Sequence, residues 1–368
     1  MRVGFTHVRR LLAASLVVVL AAMALTYVVD PLQLFRPAYL VPPAYSEDTR
    51  MQNAGLLRSQ SFDTAFMGTS MAIHFRQSDI DRVLGVRSLK LAMTGSNSRQ
   101  QGFVLEQAIA HGARRVIWEM DDFIFVDAAD IESDPYLSVD LYRRTPKGIA
   151  SYLVSAAMAR DSLFALLRAL PPLREPLTRA APYLPVRFSL SRVDDIHALP
   201  PDFDVARAYN AGKALASFAW ITAPARSRFL GEGYGYDAMV RHFEQDAVAL
   251  ITRHSDVTFD VYFPPYSILQ FVAQRDASPA TLTIVTDLTA QIAQRLTQLP
   301  NVRLHDFRAI KAVTHDLANY GDVIHHSPVV DAKVLQWLAS GAYVVDAKAP
   351  LASLEELKAQ VEAYRVGR

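Results

Sequence analysis

The 368-residue chain has no cysteine. That excludes disulfide scaffolds, cysteine nucleophiles and thiolate-held zinc or iron–sulfur centres. Net charge is also nearly absent, with 38 basic residues against 37 acidic ones. A dedicated nucleic-acid binder draws its affinity from neutralising phosphates, so nucleic acid is not an expected partner. Charged residues make up only 20% of the chain and hydrophobic residues 51%, which excludes a disordered polymer. Long uncharged runs are scarce too. The one long enough to cross a bilayer goes from Leu11 to Val29, follows Arg2, Arg9 and Arg10, and stops at Asp30-Pro31.

At about 1.5 Å per residue, that run just covers a hydrocarbon core of about 30 Å. Basic residues before it, and none immediately after, predict a cytoplasmic N-terminus. The expectation is a single-pass protein whose body, past residue 30, lies across the membrane from that terminus. Ala22-Met23-Ala24 also suits a signal-peptide cleavage site, but the run exceeds the ~7–15 residues of a signal core, which favours an uncleaved anchor. Residues 31–62 contain Pro31, Pro37, Pro42 and Pro43 with little periodicity and read as a linker. Residues 1–30 are then a stub and anchor, and 63–368 the body.

In the body, short apolar runs alternate with helical patterns. The expected strands are Thr64–Met67, Ser88–Met93, Arg115–Met120, Thr258–Phe263 and Val302–Asp306, apolar as strands buried on both faces tend to be. Val104, Leu105, Ala108 and Ile109 share one face of a helix beginning near Ser98. A second helix follows over 236–253, opened by Gly231–Gly235, and a third carries Val285, Leu288, Ile292 and Leu296 behind Ser278-Pro279. The alternation predicts an α/β fold: an open parallel sheet with helices on both faces, whose ligand site lies beyond the carboxyl ends of the strands. Residues 127–225 break the rhythm with helical segments such as Tyr152–Leu170 and a proline-rich piece from Pro171 to Pro185. They read as a helical insertion, either decoration, a cap, or a part that lies against the membrane.

Candidate chemistry sits at the strand ends. Gly68-Thr69-Ser70 ends the first strand, where a serine hydroxyl is exposed beside backbone N–H groups; a helix cap is the plainer reason for such a serine. Late in the chain comes Asn319-Tyr320-Gly321-Asp322-Val323-Ile324-His325-His326-Ser327-Pro328, a loop entering a helix. Asp322 is placed to accept Nδ1–H of His325, leaving Nε2 free to take a hydroxyl proton. Thr94-Gly95-Ser96-Asn97 follows the second strand. Gly95 N–H and the Asn97 amide are candidate oxyanion donors, and Asn97 is equally a good helix cap. His74, four residues after Ser70, reads as a packing residue. His315, His325 and His326 lack the spacing and carboxylates of a metal site, and no cofactor is expected.

The Gly-Thr-Ser block, the glycine block after the second strand and the Asp-x-x-His together resemble the SGNH/GDSL hydrolase superfamily. The likeness is nearest to its membrane-anchored bacterial branch, which includes the D-alanyl transfer protein of teichoic acid modification and alginate O-acetylation proteins. Residues 63–71 and 314–335 carry it. The resemblance implies a flavodoxin-like, SGNH-type fold with Ser70 as nucleophile, His325 as base, Asp322 as its orienting partner and Gly95 as an oxyanion donor. It implies a serine esterase or O-acyltransferase acting on a cell-surface polysaccharide, with an acyl ester as substrate and a multi-pass membrane acyltransferase as a possible partner. The chain departs from the pattern at the third strand, which ends Glu119-Met120-Asp121-Asp122 where the common hydrolases have Gly-x-Asn-Asp. His326 stands where the branch often has tyrosine. The rival expectation is a non-catalytic scaffold or glycan-binding subunit that keeps the fold.

Overall fold

The structure, a computed structural model, describes residues 2–41, 45–46, 49–126, 130–134, 136–170, 172, 176, 188–189 and 204–367. They fall into two compact units: a sheet unit, 62–131 with 197–368, and an anchor unit, 1–61 with 132–196.

The sheet unit is built on five strands, β1 (Thr64–Met67), β2 (Ser88–Lys90), β3 (Arg115–Glu119), β4 (Thr258–Phe263) and β5 (Val302–Asp306). All pair in parallel, in the spatial order β2-β1-β3-β4-β5. The sheet is open and every strand is covered, as its apolar sequence requires. The expected run to Met93 is shorter as a formal strand, yet Leu91 N–H and Met93 N–H still donate to Phe66 and Gly68 carbonyls at 2.8 and 2.9 Å.

Alternation along the strands assigns the two faces. Register places Phe66 beside Ile117 and Glu119 beside Tyr262. Phe66, Ile117 and Tyr262 pack with Ile80 of helix Gln77–Leu84 and with Val330, Val334 and Leu338 of helix Pro328–Ser340. Trp118 points the other way and donates from its indole to Gln101 Oε1 of helix Ser98–Ala110 at 2.7 Å. Helices therefore cover both faces. The helix over 236–253 is continuous through a wide turn at Phe243–Val248. Pro279 begins its helix as expected, but Ser278 makes no capping bond; its hydroxyl pairs with that of Thr281.

In the anchor unit, helix Arg2–Val29 contains a stretch, Thr6–Val29, long and apolar enough to cross a membrane, with mean hydropathy 2.5. The expected linker needs correcting. Residues 31–62 include the helix Thr49–Ser59, with Gln52, Asn53, Ala54, Leu56 and Leu57 buried, and Leu32 and Leu34 are buried beside them. The cause is Asp30, whose carboxylate accepts N–H from Leu34, Phe35 and Arg36 and the Tyr152 hydroxyl at 2.9 Å. Gly55 completes the packing, because a Cβ there would sit 1.8 Å from the Leu32 carbonyl oxygen. Pro31 lies in the turn after the helix, and Pro42 and Pro43 lie outside the described residues.

The insertion is also divided. Its first part, including helices Pro146–Val154 and Ala156–Ala169, packs with the N-terminal segment, whereas helix Ala211–Thr222 belongs to the sheet unit. Almost all of Pro171–Pro185 lies outside the described residues.

Candidate active site

The strand order reverses between β1 and β3, and a crevice outside the strand ends forms where order reverses in such sheets. Ser70 follows β1 directly, opening a short helical turn Ser70–Ala72. Gly68 makes that turn possible by close approach. A Cβ at residue 68 would lie 2.6 Å from Ala72 Cβ and 2.8 Å from Glu119 Cβ.

The late loop arrives over this turn. Ser70 Oγ lies 2.9 Å from His325 Nε2, and His325 Nδ1 lies 2.6 Å from Asp322 Oδ2. Asp322 Oδ1 accepts the backbone N–H of Ile324 and of His325, both at 2.8 Å, so one carboxylate folds the loop and holds the ring. The loop is itself fixed by Gly321 N–H to the His325 carbonyl and by the Tyr320 hydroxyl to the Pro265 carbonyl. His325 and Asp322 remain about a third exposed, at 33% and 35%. Burial pulls the imidazole toward neutrality, yet the Asp322 bond and charge, helped by Asp121, hold its pKa above the ordinary value. Asp322 is held below the usual carboxylate range: burial opposes this, and the His325 bond outweighs it.

The N–H groups of Ser70 and Met71, at the start of their turn, make no hydrogen bond among the described residues. Gly95 sits exposed at the second strand end with φ +60°, at the corner of a turn closed by Ser96 N–H to the Met93 carbonyl, and its N–H is similarly unengaged among the described residues. Asn97 has the capping role. Its Oδ1 accepts Gln100 N–H at 2.9 Å while Gln100 Oε1 takes the Asn97 N–H, a reciprocal box that starts helix Ser98–Ala110. The box uses Oδ1 and the backbone N–H of Asn97 and leaves its Nδ2 donors, the group expected at the oxyanion, outside the cap.

Sequence reasoning missed the group beneath the nucleophile. Thr69 N–H donates to Glu119 Oε1 at 3.2 Å, and the Thr69 hydroxyl donates to Asp121 Oδ2 at 2.5 Å. Tyr262 hydroxyl reaches the other oxygen of Glu119 at 3.1 Å, and Tyr266 hydroxyl donates to Asp121 Oδ1. Both carboxyl groups are fully buried. Burial, with the charge of Asp121, pushes Glu119 well up; burial, with the charge of Asp122, pushes Asp121 up to about 6. In the sequence Glu119 stood out only as a charge after the apolar run Val116-Ile117-Trp118; which groups meet it follows from the strand register.

The turn after Ser70 is held from β2. The buried Lys90 ammonium donates to the carbonyls of Ile73 and Phe75 at 2.6 and 2.7 Å, and burial lowers its pKa to about 7. His74 lies past the end of the helical turn and shares a 3.1 Å bond with the Tyr209 hydroxyl. His326 is buried, edge-on to Phe75, with Nδ1 3.0 Å from Asp331. His315 packs edge-on to Tyr364. Among the described residues no cluster of three His or acidic side chains could hold a metal ion.

Chemically, a hydroxyl bonded to an imidazole that a carboxylate orients is an arrangement for nucleophilic attack on an acyl carbon. No protein-family model and no curated protein matches this sequence.

Proposed function

We propose that the protein is a serine esterase or O-acyltransferase with a flavodoxin-like, SGNH-type sheet unit, and that Ser70 carries the acyl group. The observation that carries this reading is the continuous chain from Ser70 Oγ to His325 Nε2 and from His325 Nδ1 to Asp322, at 2.9 and 2.6 Å. The strand order, with the serine at the point where it reverses, supports the fold assignment.

In the first half-reaction Ser70 Oγ attacks an ester carbonyl while His325 Nε2 takes its proton. Asp322 keeps Nδ1–H in place and stabilises the imidazolium that results. The N–H groups of Ser70, Met71 and Gly95 are the candidate donors to the oxyanion. The C–O bond to the leaving alcohol breaks, the alkoxide takes the proton from His325, and an acyl-Ser70 ester remains. In the second half, water or an acceptor hydroxyl gives its proton to His325 and attacks that ester, and His325 passes the proton to Ser70 Oγ as the acyl–Ser70 bond breaks. Water makes the enzyme an esterase and a sugar hydroxyl makes it a transferase.

The anchor helix supports a place in the bacterial inner membrane with the sheet unit on the periplasmic side, following the basic residues before the span. That location suits a cell-surface polysaccharide as acceptor and a multi-pass membrane acyltransferase as source of the acyl group. A second reading, a non-catalytic scaffold or glycan-binding subunit, draws on the third strand end, where carboxyl groups stand instead of an amide donor.

The test is hydrolysis of a chromogenic acetyl ester by the full chain in detergent, with and without an oligosaccharide acceptor. The enzyme reading expects turnover that Ser70→Ala and His325→Ala abolish. Equal rates in wild type and both variants would contradict it.

A further inference from the structure

The short helices after residue 139 offer an apolar face that the catalytic reading does not use. Helix Ala156–Ala169 carries two neighbouring stripes. Ala165, Leu166 and Ala169, on one, pack with Leu25 and Val29 at the end of the anchor helix and with Val41. Leu163 and Leu167 stand at i and i+4 on the other, and Leu170 follows at the residue that ends the helix. Leu163 and Leu170 are 45% and 46% exposed. The preceding helix, Pro146–Val154, meets this one at a bend of 58° and leaves Val154 bare as well.

What covers this face follows from what the helix rests on. The stretch Thr6–Val29 has 24 residues, about 36 Å of helix, slightly more than a hydrocarbon core. Its last turn therefore emerges at the headgroup level. Aromatic and basic side chains gather there as they do at membrane interfaces. Tyr27 and Phe35 rings lie 4.9 Å apart, and the Arg36 guanidinium sits 4.8 Å from the Tyr27 ring centre and 5.1 Å from that of Tyr39. Arg36 also donates to the carbonyls of Tyr27 and Val28, closing the helix end. A helix packed on Leu25 and Val29 is held at that same height. It has 14 residues, about 21 Å, which is too short to span.

We infer that the bent pair Pro146–Ala169 lies along the bilayer surface from which the anchor emerges, with Leu163, Leu167 and Leu170 at the boundary of headgroups and acyl chains. The inference rests on the reading of Thr6–Val29 as a membrane span. A lone span is free to rotate about its own axis; this second foothold fixes the orientation of the anchor unit on the lipid.

Because the chain has no cysteine, single sites can be spin-labelled without background. The full chain is placed in phosphatidylethanolamine–phosphatidylglycerol nanodiscs, carrying Val17→Cys, Leu163→Cys, Leu170→Cys or Glu355→Cys with a nitroxide. Collisions with oxygen and with a water-soluble nickel chelate then report depth. The expected result is that Val17 is deepest, while Leu163 and Leu170 are shallow in lipid and exclude nickel several-fold relative to exposed Glu355. Leu163 and Leu170 as open to nickel as Glu355, with Val17 still deep, would overturn the foothold and leave the span intact. Nickel access at Val17 would overturn the span and the foothold with it. Equal depth at 163 and 17 would make the segment a core-entering one, dipolar broadening would make its face a self-association surface, and shielding from both reagents would mean protein covers it. Each of these also overturns the inference.

Discussion

The Thr69 hydroxyl donates to Asp121 at 2.5 Å, so the residue before the candidate nucleophile is tied to the end of the neighbouring strand. Ser70 is thus positioned from two directions: from the sheet through Thr69, and from the late loop through His325. Thr69→Val keeps the shape but leaves the buried Asp121 with one donor fewer. Losing such a bond costs roughly 1–3 kcal/mol. We expect acyl transfer to slow by about 10- to 100-fold with the fold retained, read from kcat and circular dichroism. An unchanged kcat would mean Thr69 has no positioning role.

Asp322→Asn removes the acceptor for Nδ1–H and favours the wrong imidazole tautomer. The expected loss in kcat is large, on the order of 10,000-fold, with substrate binding little altered. A loss confined to KM would assign Asp322 to loop folding alone, through its bonds to Ile324 and His325 N–H.

The acid limb of the rate profile should report His325. Its pKa is raised, so the neutral base is lost as pH falls through a value above the usual imidazole range. Asp121 contributes to that rise, and Asp121→Asn should move the limb to lower pH. The check is kcat/KM against pH for both proteins; coincident limbs would separate Asp121 from the imidazole.

Stability should follow the opposite sign from that of a paired surface carboxylate. Asp121 is raised from 3.8 to about 6 by burial, so the folded protein prefers its protonated form. Its contribution is therefore present below about 3.8 and is lost as pH rises through 6, up to about 3 kcal/mol. Thermal melts of wild type should show this decline between pH 4 and about 7, and Asp121→Asn should show a smaller one, the remainder coming from Glu119, which burial also raises. A variant that follows the wild-type curve would contradict the burial account.

Gly68→Ala places a methyl group 2.6 Å from Ala72 Cβ and 2.8 Å from Glu119 Cβ, against strand and turn that cannot move independently. Overpacking of this kind costs roughly 1–3 kcal/mol. The melting temperature should fall, and the Ser70 turn should lose reactivity further than the stability loss explains.

The strands and the Ser70, Asp322 and His325 positions were legible because each depends on short-range pattern. An apolar run followed by Gly-Thr-Ser marks a strand end, and Asp-x-x-His spans a single loop. The Glu119–Asp121 group was not legible. It requires knowing that β3 lies between β1 and β4, which places Tyr262 beside Glu119. The packing of Leu32, Leu34 and helix Thr49–Ser59 was hidden for a similar reason, since the Asp30–Tyr152 bond joins positions 122 residues apart. Asn97 shows a different limit. Its sequence suits a cap and an oxyanion donor alike, and the Gln100 contacts show the cap while leaving the amide N–H donors outside it.

The central claim is that His325 activates Ser70. Fluorophosphonate labelling of the full chain in detergent, wild type beside Ser70→Ala and read by intact mass, tests it most directly. The account predicts one adduct on wild type and none on the variant. A folded wild type that takes no adduct, or a variant labelled equally well, would contradict it.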